Sequence, residues 1–362
     1  MKAWDDPAVR PGRASPEALE ELRERGIDLD PEGHGTSTHG HPDLDHAAGD
    51  AHDAGRAGDH AHPHAHPHAR SEPGEPPVTG IVGAGAVGTA LGLALHRAGW
   101  PVVAVASRDD ARRERFRGLV PGARGFAEAA PLLDEVELII LAVPDDAIAG
   151  LARELRMYGG QAMVHTSGAL GAEVLEPARA AGTQVGAFHP LVAFADTERA
   201  VEALHGATVA IEGDDELAAL LAEMASAVGA TAVRLAPGSK AAYHAAAMLA
   251  AGGLVALLDA VAELARGAGL DEPGALAIYG DLAEQTLGNA RALGVTRALT
   301  GPIVRGDVGT IRRHVEALGR VSPDLLPLYR ALAEREVEIA ERRGSLAPNV
   351  AASLRRAVAM PE

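Results

Sequence analysis

The chain has 362 residues, a formal net charge of −17 and no cysteine. The missing cysteines exclude disulfides, thiolate metal centres, iron–sulfur ligation and a cysteine nucleophile. The acidity argues against the basic stripe of a nucleic-acid binder and against docking on an anionic membrane. No basic segment followed by an apolar core opens the chain, and no stretch of about 18 uncharged apolar residues reads as a membrane anchor. The most apolar run, Ala241 to Leu258, is rich in Ala and Gly and reads as a buried helix. The expectation is a cytoplasmic protein of two ordinary domains behind a tail.

Residues 1–77 form that tail. They hold 16 acidic and 7 basic residues, a net of −9, and between Gly33 and Pro77 the only large aliphatic residue is Leu44. Such a segment buries too little apolar surface to offset chain entropy, so it is expected to be disordered. A short helix is expected over Ser15–Arg25, capped by Ser15 with Pro16 in its first turn. Ten of the sixteen histidines lie in the tail, ending in the run HAHPHAHPHA. Neutral imidazoles at that spacing capture Ni²⁺ or Zn²⁺ adventitiously, without a defined site, and no catalytic metal is expected.

From Val78 the texture changes to short β-like runs alternating with helical stretches. The runs are Val78–Val82, Val102–Ala106, Val136–Val143, Ala162–His165, Val185–Phe188, Ala207–Ile211 and Ala232–Leu235. This rhythm predicts a Rossmann-type, mostly parallel sheet over 78–236. After Pro237 the strand signal stops. An all-α domain is expected over 237–362, with helices at Ser239–Arg266, Glu272–Leu293, Asp307–Leu318, Leu325–Arg343 and Asn349–Val358.

The sharpest motif is VTGIVGAGAVG, residues 78–88, a strand running through Gly83, Ala84, Gly85, Ala86, Val87 and Gly88 into a helix. In that context G-x-G-x-x-G is a dinucleotide fingerprint. Gly83 allows the turn, Gly85 lets a pyrophosphate approach the backbone, Gly88 lets the helix pack on the strand, and the helix N-terminus offers N–H groups to the phosphates. The second strand ends in Ser107 and Arg108 where a NAD site usually has an acid. Ser107 hydrogen-bonds a 2′-phosphate and Arg108 pairs with it, so NADP(H) is favoured. Val143 and Pro144 end the next strand at the carboxyl edge, where the nicotinamide passes, with Asp145 read as a helix cap. Thr166 and Ser167 follow at the next strand end, and His189 at the one after, as a proton donor, substrate ligand or turn residue.

The whole span from about Val78 to Val358 resembles proteins that join a Rossmann-like domain to the DUF2520 domain, within the superfamily of 6-phosphogluconate dehydrogenase, ketopantoate reductase and pyrroline-carboxylate reductase. The resemblance rests on AVPDDAI, VHTSGAL, FHPLVAF, KAAYHAAAMLAAGGLVALL and ALTGPIVRGDVGTIRRHVEAL. It implies an NADP-binding sheet domain, a helical C-terminal domain and a homodimer through those helices, but no substrate. In the superfamily's β-hydroxyacid dehydrogenases a Lys-x-x-x-Asn pair protonates the carbonyl oxygen and orients the substrate; Lys240 and His244 stand at the matching helix. They share a face, and either supplies the proton that hydride transfer to a carbonyl or imine requires. Related proteins often carry Ser-Asn where Ala251 and Gly252 stand, which removes a polar pair. In the loop 300–307, Arg305 is the candidate anchor for an anionic substrate, with Asn289 and Thr286 as weaker candidates. The reading is an NADP(H)-dependent oxidoreductase, with a non-catalytic NADP(H) sensor as the alternative.

Overall fold

The computed structural model describes residues 75–179 and 182–360. The expected disorder, the short helix at Ser15–Arg25 and the histidine run of the tail lie outside the described residues. The chain divides into two compact units, the first ending at Ala247 and the second covering Met248–Glu362.

The first unit is built on an eight-stranded sheet. Its strands are β1 (Thr79–Val82), β2 (Val102–Ala106), β3 (Arg124–Phe126), β4 (Leu138–Leu141), β5 (Ala162–His165), β6 (Gln184–Pro190), β7 (Thr208–Glu212) and β8 (Thr231–Arg234). They lie in the order β3-β2-β1-β4-β5-β6-β7-β8, parallel throughout except for the β6–β7 pair. The helices are α1 (Ala86–Arg97), α2 (Asp110–Leu119), α3 (Asp145–Glu154), α4 (Thr197–Leu204) and α5 (Asp215–Ala227).

Both faces of the sheet are covered. Ile81, Leu138, Ile140 and Val164 enter one core with Leu91, Leu95, Phe116 and Phe188. Val82, Ile139, Leu141 and Met163 alternate into the other, with Leu132 and Ile148. A strand buried on two faces needs no polar alternation, which is why β4 reads as an unbroken LIIL. Each such fully buried side chain contributes about 1.5–3 kcal/mol relative to exposure.

The expected strands are all present. The edge strand β3 is an addition to them, and its RGF carries no apolar alternation. The sheet is also stepped. The first half of β6, Gln184–Ala187, pairs with β5, and its second half, Ala187–Pro190, pairs with β7. Ala187 is shared, and it sets Glu212 level with His165.

A helix α6 (Lys240–Ala250) follows, broken at Ala251 (φ −104°, ψ −79°), and α7 (Gly252–Arg266) continues from there. Together, Lys240–Arg266 are apolar and long enough to cross a membrane by length and composition alone, with a mean hydropathy of 2.0 over the best 18 residues. This corrects two expectations. The stretch passes that test despite His244, and it is not buried: only 11% of the window is covered within the chain. Leu249 is 77% exposed and Val255 67%. The Ala- and Gly-rich composition specifies a helix, and within α7 only Ala260, Ala262 and Ala265 are buried.

In the second unit α8 (Glu272–Leu293) packs on α7 through Ala262, Ala265 and Ala275. A larger core joins α9 (Val308–Val321), α10 (Leu326–Arg342) and α11 (Pro348–Val358) through Ile311, Val337, Ala340 and Leu354.

Candidate functional site

The groove at the carboxyl edge of β1, β2 and β4 encloses about 1090 Å³. One wall is the glycine turn. Gly83 has φ +110°, and a side chain there would overlap the Ala142 carbonyl. A side chain at Gly88 would overlap the carbonyl of Gly83, so helix and strand are as close as backbones allow. A Cβ at Gly85 would meet nothing within 4 Å. Gly85 is also the N-cap of α1 and carries no side-chain cap, so the first-turn N–H groups of Ala86 and Val87 face the groove that these two residues line. A concave wall of unshielded N–H groups behind a bare glycine suits a diphosphate.

Ser107, Arg108, Val143, Pro144 and Thr166 line the same groove, whereas Gly88 and Ser167 do not. Arg112 lines it too and was not singled out in the sequence. It lies in the first turn of α2, four residues past Arg108, which precedes the helix cap Asp109. Asp109, at the position where a NAD-selective acid would compete, caps α2 by accepting from Arg112 N–H at 3.0 Å. It also pairs with the Arg112 side chain. Ser107 Oγ accepts from Asp109 N–H at 3.3 Å.

Asp145 does not cap α3, contrary to expectation. Pro144 occupies the cap position, and Asp145 and Asp146 lie in the first turn, where carboxylates complement the helix dipole. From there Asp145 acts electrostatically on two groups beyond the groove, Lys240 and His189.

Those two belong to a second cluster. Lys240, which opens α6, is 2% exposed. Its Nζ has no hydrogen-bond partner, and neither do the buried His189 Nδ1 and Tyr243 hydroxyl. Loss of hydration lowers the Lys240 ammonium to about 8, against the opposing pull of Glu212, Asp145 and Glu173. His165 and His189 are each lowered to about 4, by burial first and by the Lys240 charge second. The rings of His189 and His244 meet edge-on with centroids 5.7 Å apart, and those of His189 and Tyr243 at 6.1 Å. The structure therefore gathers Lys240, His244 and His189, as their chemistry suggested, and adds His165, Tyr243 and Glu212.

One signal for Lys240 was available and unread. Of the 33 basic side chains only Lys2 and Lys240 are lysines. A chain that uses arginine almost everywhere carries, at the most buried cation among the described residues, the side chain that is able to release a proton.

Ser167 turns out to hold its own loop, its Oγ accepting from Ala169 N–H and Leu170 N–H. Arg305 is exposed in the loop before α9, Asn289 is exposed on α8, and the Thr286 hydroxyl bonds the Leu282 carbonyl. All three belong to the second unit. Asp307 caps α9, accepting from Thr310 N–H at 3.0 Å.

A glycine-turn groove at the carboxyl edge of a mostly parallel sheet defines a Rossmann-type dinucleotide-binding domain. In keeping with that, residues 69–190 match the Rossmann-like domain family and residues 207–336 match the domain of unknown function DUF2520. The chain thus carries the domain pairing that its motifs resembled. Similar solved structures include a proposed NADP oxidoreductase from Bacteroides fragilis, 25% identical, covering 74% of this chain and 99% of that one (TM-score 0.62). Two more share the fold. A reductive aminase from Aspergillus terreus in complex with NADPH and ethyl levulinate is 17% identical, covering 77% of this chain and 98% of that one (TM-score 0.57). The 1-pyrroline-5-carboxylate reductase from Streptococcus pyogenes is 15% identical, covering 75% and 99% (TM-score 0.54). No curated protein sequence matches the chain.

Proposed function

We propose that the protein is an NADP(H)-dependent oxidoreductase that reduces a small carbonyl or imine compound, or catalyses the reverse oxidation. The likeness to the Bacteroides fragilis structure supports the cofactor and the oxidoreductase class. The N–H groups around Gly83–Gly88 would hold the diphosphate, Ser107, Arg108 and Arg112 the 2′-phosphate, and Val143, Pro144 and Thr166 the nicotinamide end. When bound, the nicotinamide supplies or takes up the hydride.

The observation that carries the reading is the bare, buried Nζ of Lys240. A group this desolvated and unpaired has no structural use for its charge. At pH 7 the ammonium still holds its proton, and its lowered pKa makes that proton available to a carbonyl oxygen or imine nitrogen. His189 and His244 form a wall beside it that would orient the substrate. Activity should fall as pH rises through about 8, because the donor is then spent.

The apolar residues left bare on α6, α7 and α8 support a homodimer through these helices. Leu249, Val255, Ile278 and Leu282 are all more than half exposed.

The test is stopped-flow oxidation of NADPH against a panel of keto acids, aldehydes, ketones and cyclic imines. Turnover of one class supports the enzyme. Tight NADPH binding with no turnover of any class would instead mark a nucleotide sensor, a reading that the non-polar Ala251 and Gly252 favour.

A further inference from the structure

The loop between β5 and the 3-10 turn at Ala172–Ala178 touches both halves of the site. Thr166 lines the groove. Two residues on, Gly168 lies against the paired imidazoles: a Cβ there would come 2.7 Å from His189 Nε2 and 2.8 Å from His244 Nε2. Whatever sets the course of this loop therefore sets the groove wall and the histidine wall together.

We infer that His165 is the positioning residue for this loop, a staple that holds Thr166 and Gly168 in register with the groove and the Lys240 cluster. His165 is fully buried at the end of β5. Its Nδ1 accepts from Ser167 N–H at 3.2 Å, so Nε2 carries the proton, and Nε2 donates to the Gly171 carbonyl at 3.1 Å. One ring thus spans the loop from its second residue to its sixth. The flanks are tied separately. Thr166 N–H donates to the Leu141 carbonyl at 3.0 Å, and Ala172 N–H donates to Glu212 Oε2 at 2.8 Å. Between these ties the backbone of 167–171 has His165 and the Ser167 hydroxyl as its side-chain anchors.

The role needs a neutral imidazole. A second ring proton would turn Nδ1 from acceptor to donor, facing the Ser167 N–H, and burial beside Lys240 disfavours that form. An apolar residue of similar bulk would fill the space, leave the Ser167 N–H unpaired and leave the Gly171 carbonyl with only its bond from Val174 N–H at 3.3 Å.

This inference rests on the reductase reading for the groove, but one of its two tests does not. Full-length His165→Leu, His165→Asn and His165→Gln proteins are compared with the parent, folding being checked by circular dichroism. Asn keeps an acceptor towards Ser167 N–H, and Gln keeps a donor towards the Gly171 carbonyl. The first readout is NADPH affinity by fluorescence. His165→Leu is expected to bind about tenfold more weakly, with Asn and Gln intermediate. The second is ¹³Cε-lysine NMR, in which Lys240 is resolved against Lys2 alone. In His165→Leu its titration midpoint is expected to climb from about 8 towards that of a solvated lysine, as the loosened loop admits water. A folded His165→Leu, or His165→Asn should the former not fold, with NADPH affinity within about twofold and an unmoved Lys240 titration would overturn the inference and leave His165 as packing. If the parent itself binds no NADPH, the reductase reading fails while the lysine titration still decides the role of His165.

Discussion

Replacing Lys240 by methionine removes a buried, unpaired cation and keeps most of the side-chain volume. Folding lowers the pKa of this ammonium from 10.5 to about 8, a difference that corresponds to about 3 kcal/mol against the folded state. The cost is nearly complete at pH 7, where both states hold the proton. Between about 8 and 10.5 the folded lysine has released its proton and the unfolded one has not, so the cost shrinks; above 10.5 it vanishes. Lys240→Met should therefore be the more stable protein at pH 7 by about 3 kcal/mol, or roughly 6–12 °C in the melting of a unit of this size. At pH 10 the gap should close to under about 1 kcal/mol. NADPH-dependent turnover should fall at least about 100-fold in the same variant. Urea and thermal unfolding of parent and variant at the two pH values, run beside the turnover assay, give the answer. A Lys240→Met protein less stable than its parent at pH 7 would refute the reasoning, because the ammonium would then be a paired structural charge rather than one held ready for a ligand.

Three further outcomes are expected. Gly85→Asp adds a carboxylate where a Cβ meets nothing, so calorimetry should show NADPH affinity lost by about 100-fold or more with the melting temperature nearly unchanged. Arg108→Ala and Arg112→Ala should each weaken NADPH about tenfold and leave NADH binding untouched; equal loss for both nucleotides would place these arginines away from the 2′-phosphate. Leu249→Glu combined with Val255→Glu puts charge into the largest bare apolar stretch of α6 and α7. Light scattering on a size-exclusion column should show the parent as a dimer and the double variant as a monomer, and a parent that runs as a monomer at micromolar concentration would dismiss the dimer.

The sheet was legible because its information is local. The buried strands β2 and β4 are short runs of Val, Ile, Leu and Ala between turns, and Gly83–Gly88 announces its own conformation. The two arginines at 108 and 112 were half legible, since only one adjoins the strand end. The Lys240 cluster was harder. His165 and Glu212 come together because Ala187 pairs with both, and no pattern in either strand reports a register against a third. His165 reads in the sequence as the last residue of a strand, and its function lies in two backbone groups of the loop that follows. The exposure of Ala241–Leu258 is illegible for a related reason: hydropathy states that a surface wants covering, not whether the cover comes from the same chain.

The shared position of Ala187 makes β6 a ruler with two scales. Residues before it are counted against β5, and residues after it against β7. One amino acid inserted just past Ala187 would leave the β5 ladder intact and turn everything downstream to the opposite face. His189 would then take the place of Pro190, on the face that Phe188 now occupies, and Ile211 would lose Phe188 as its partner while Glu212 kept Ala187. Individual residues of this cluster could be exchanged gradually in evolution or in the laboratory, but the length of this strand could not.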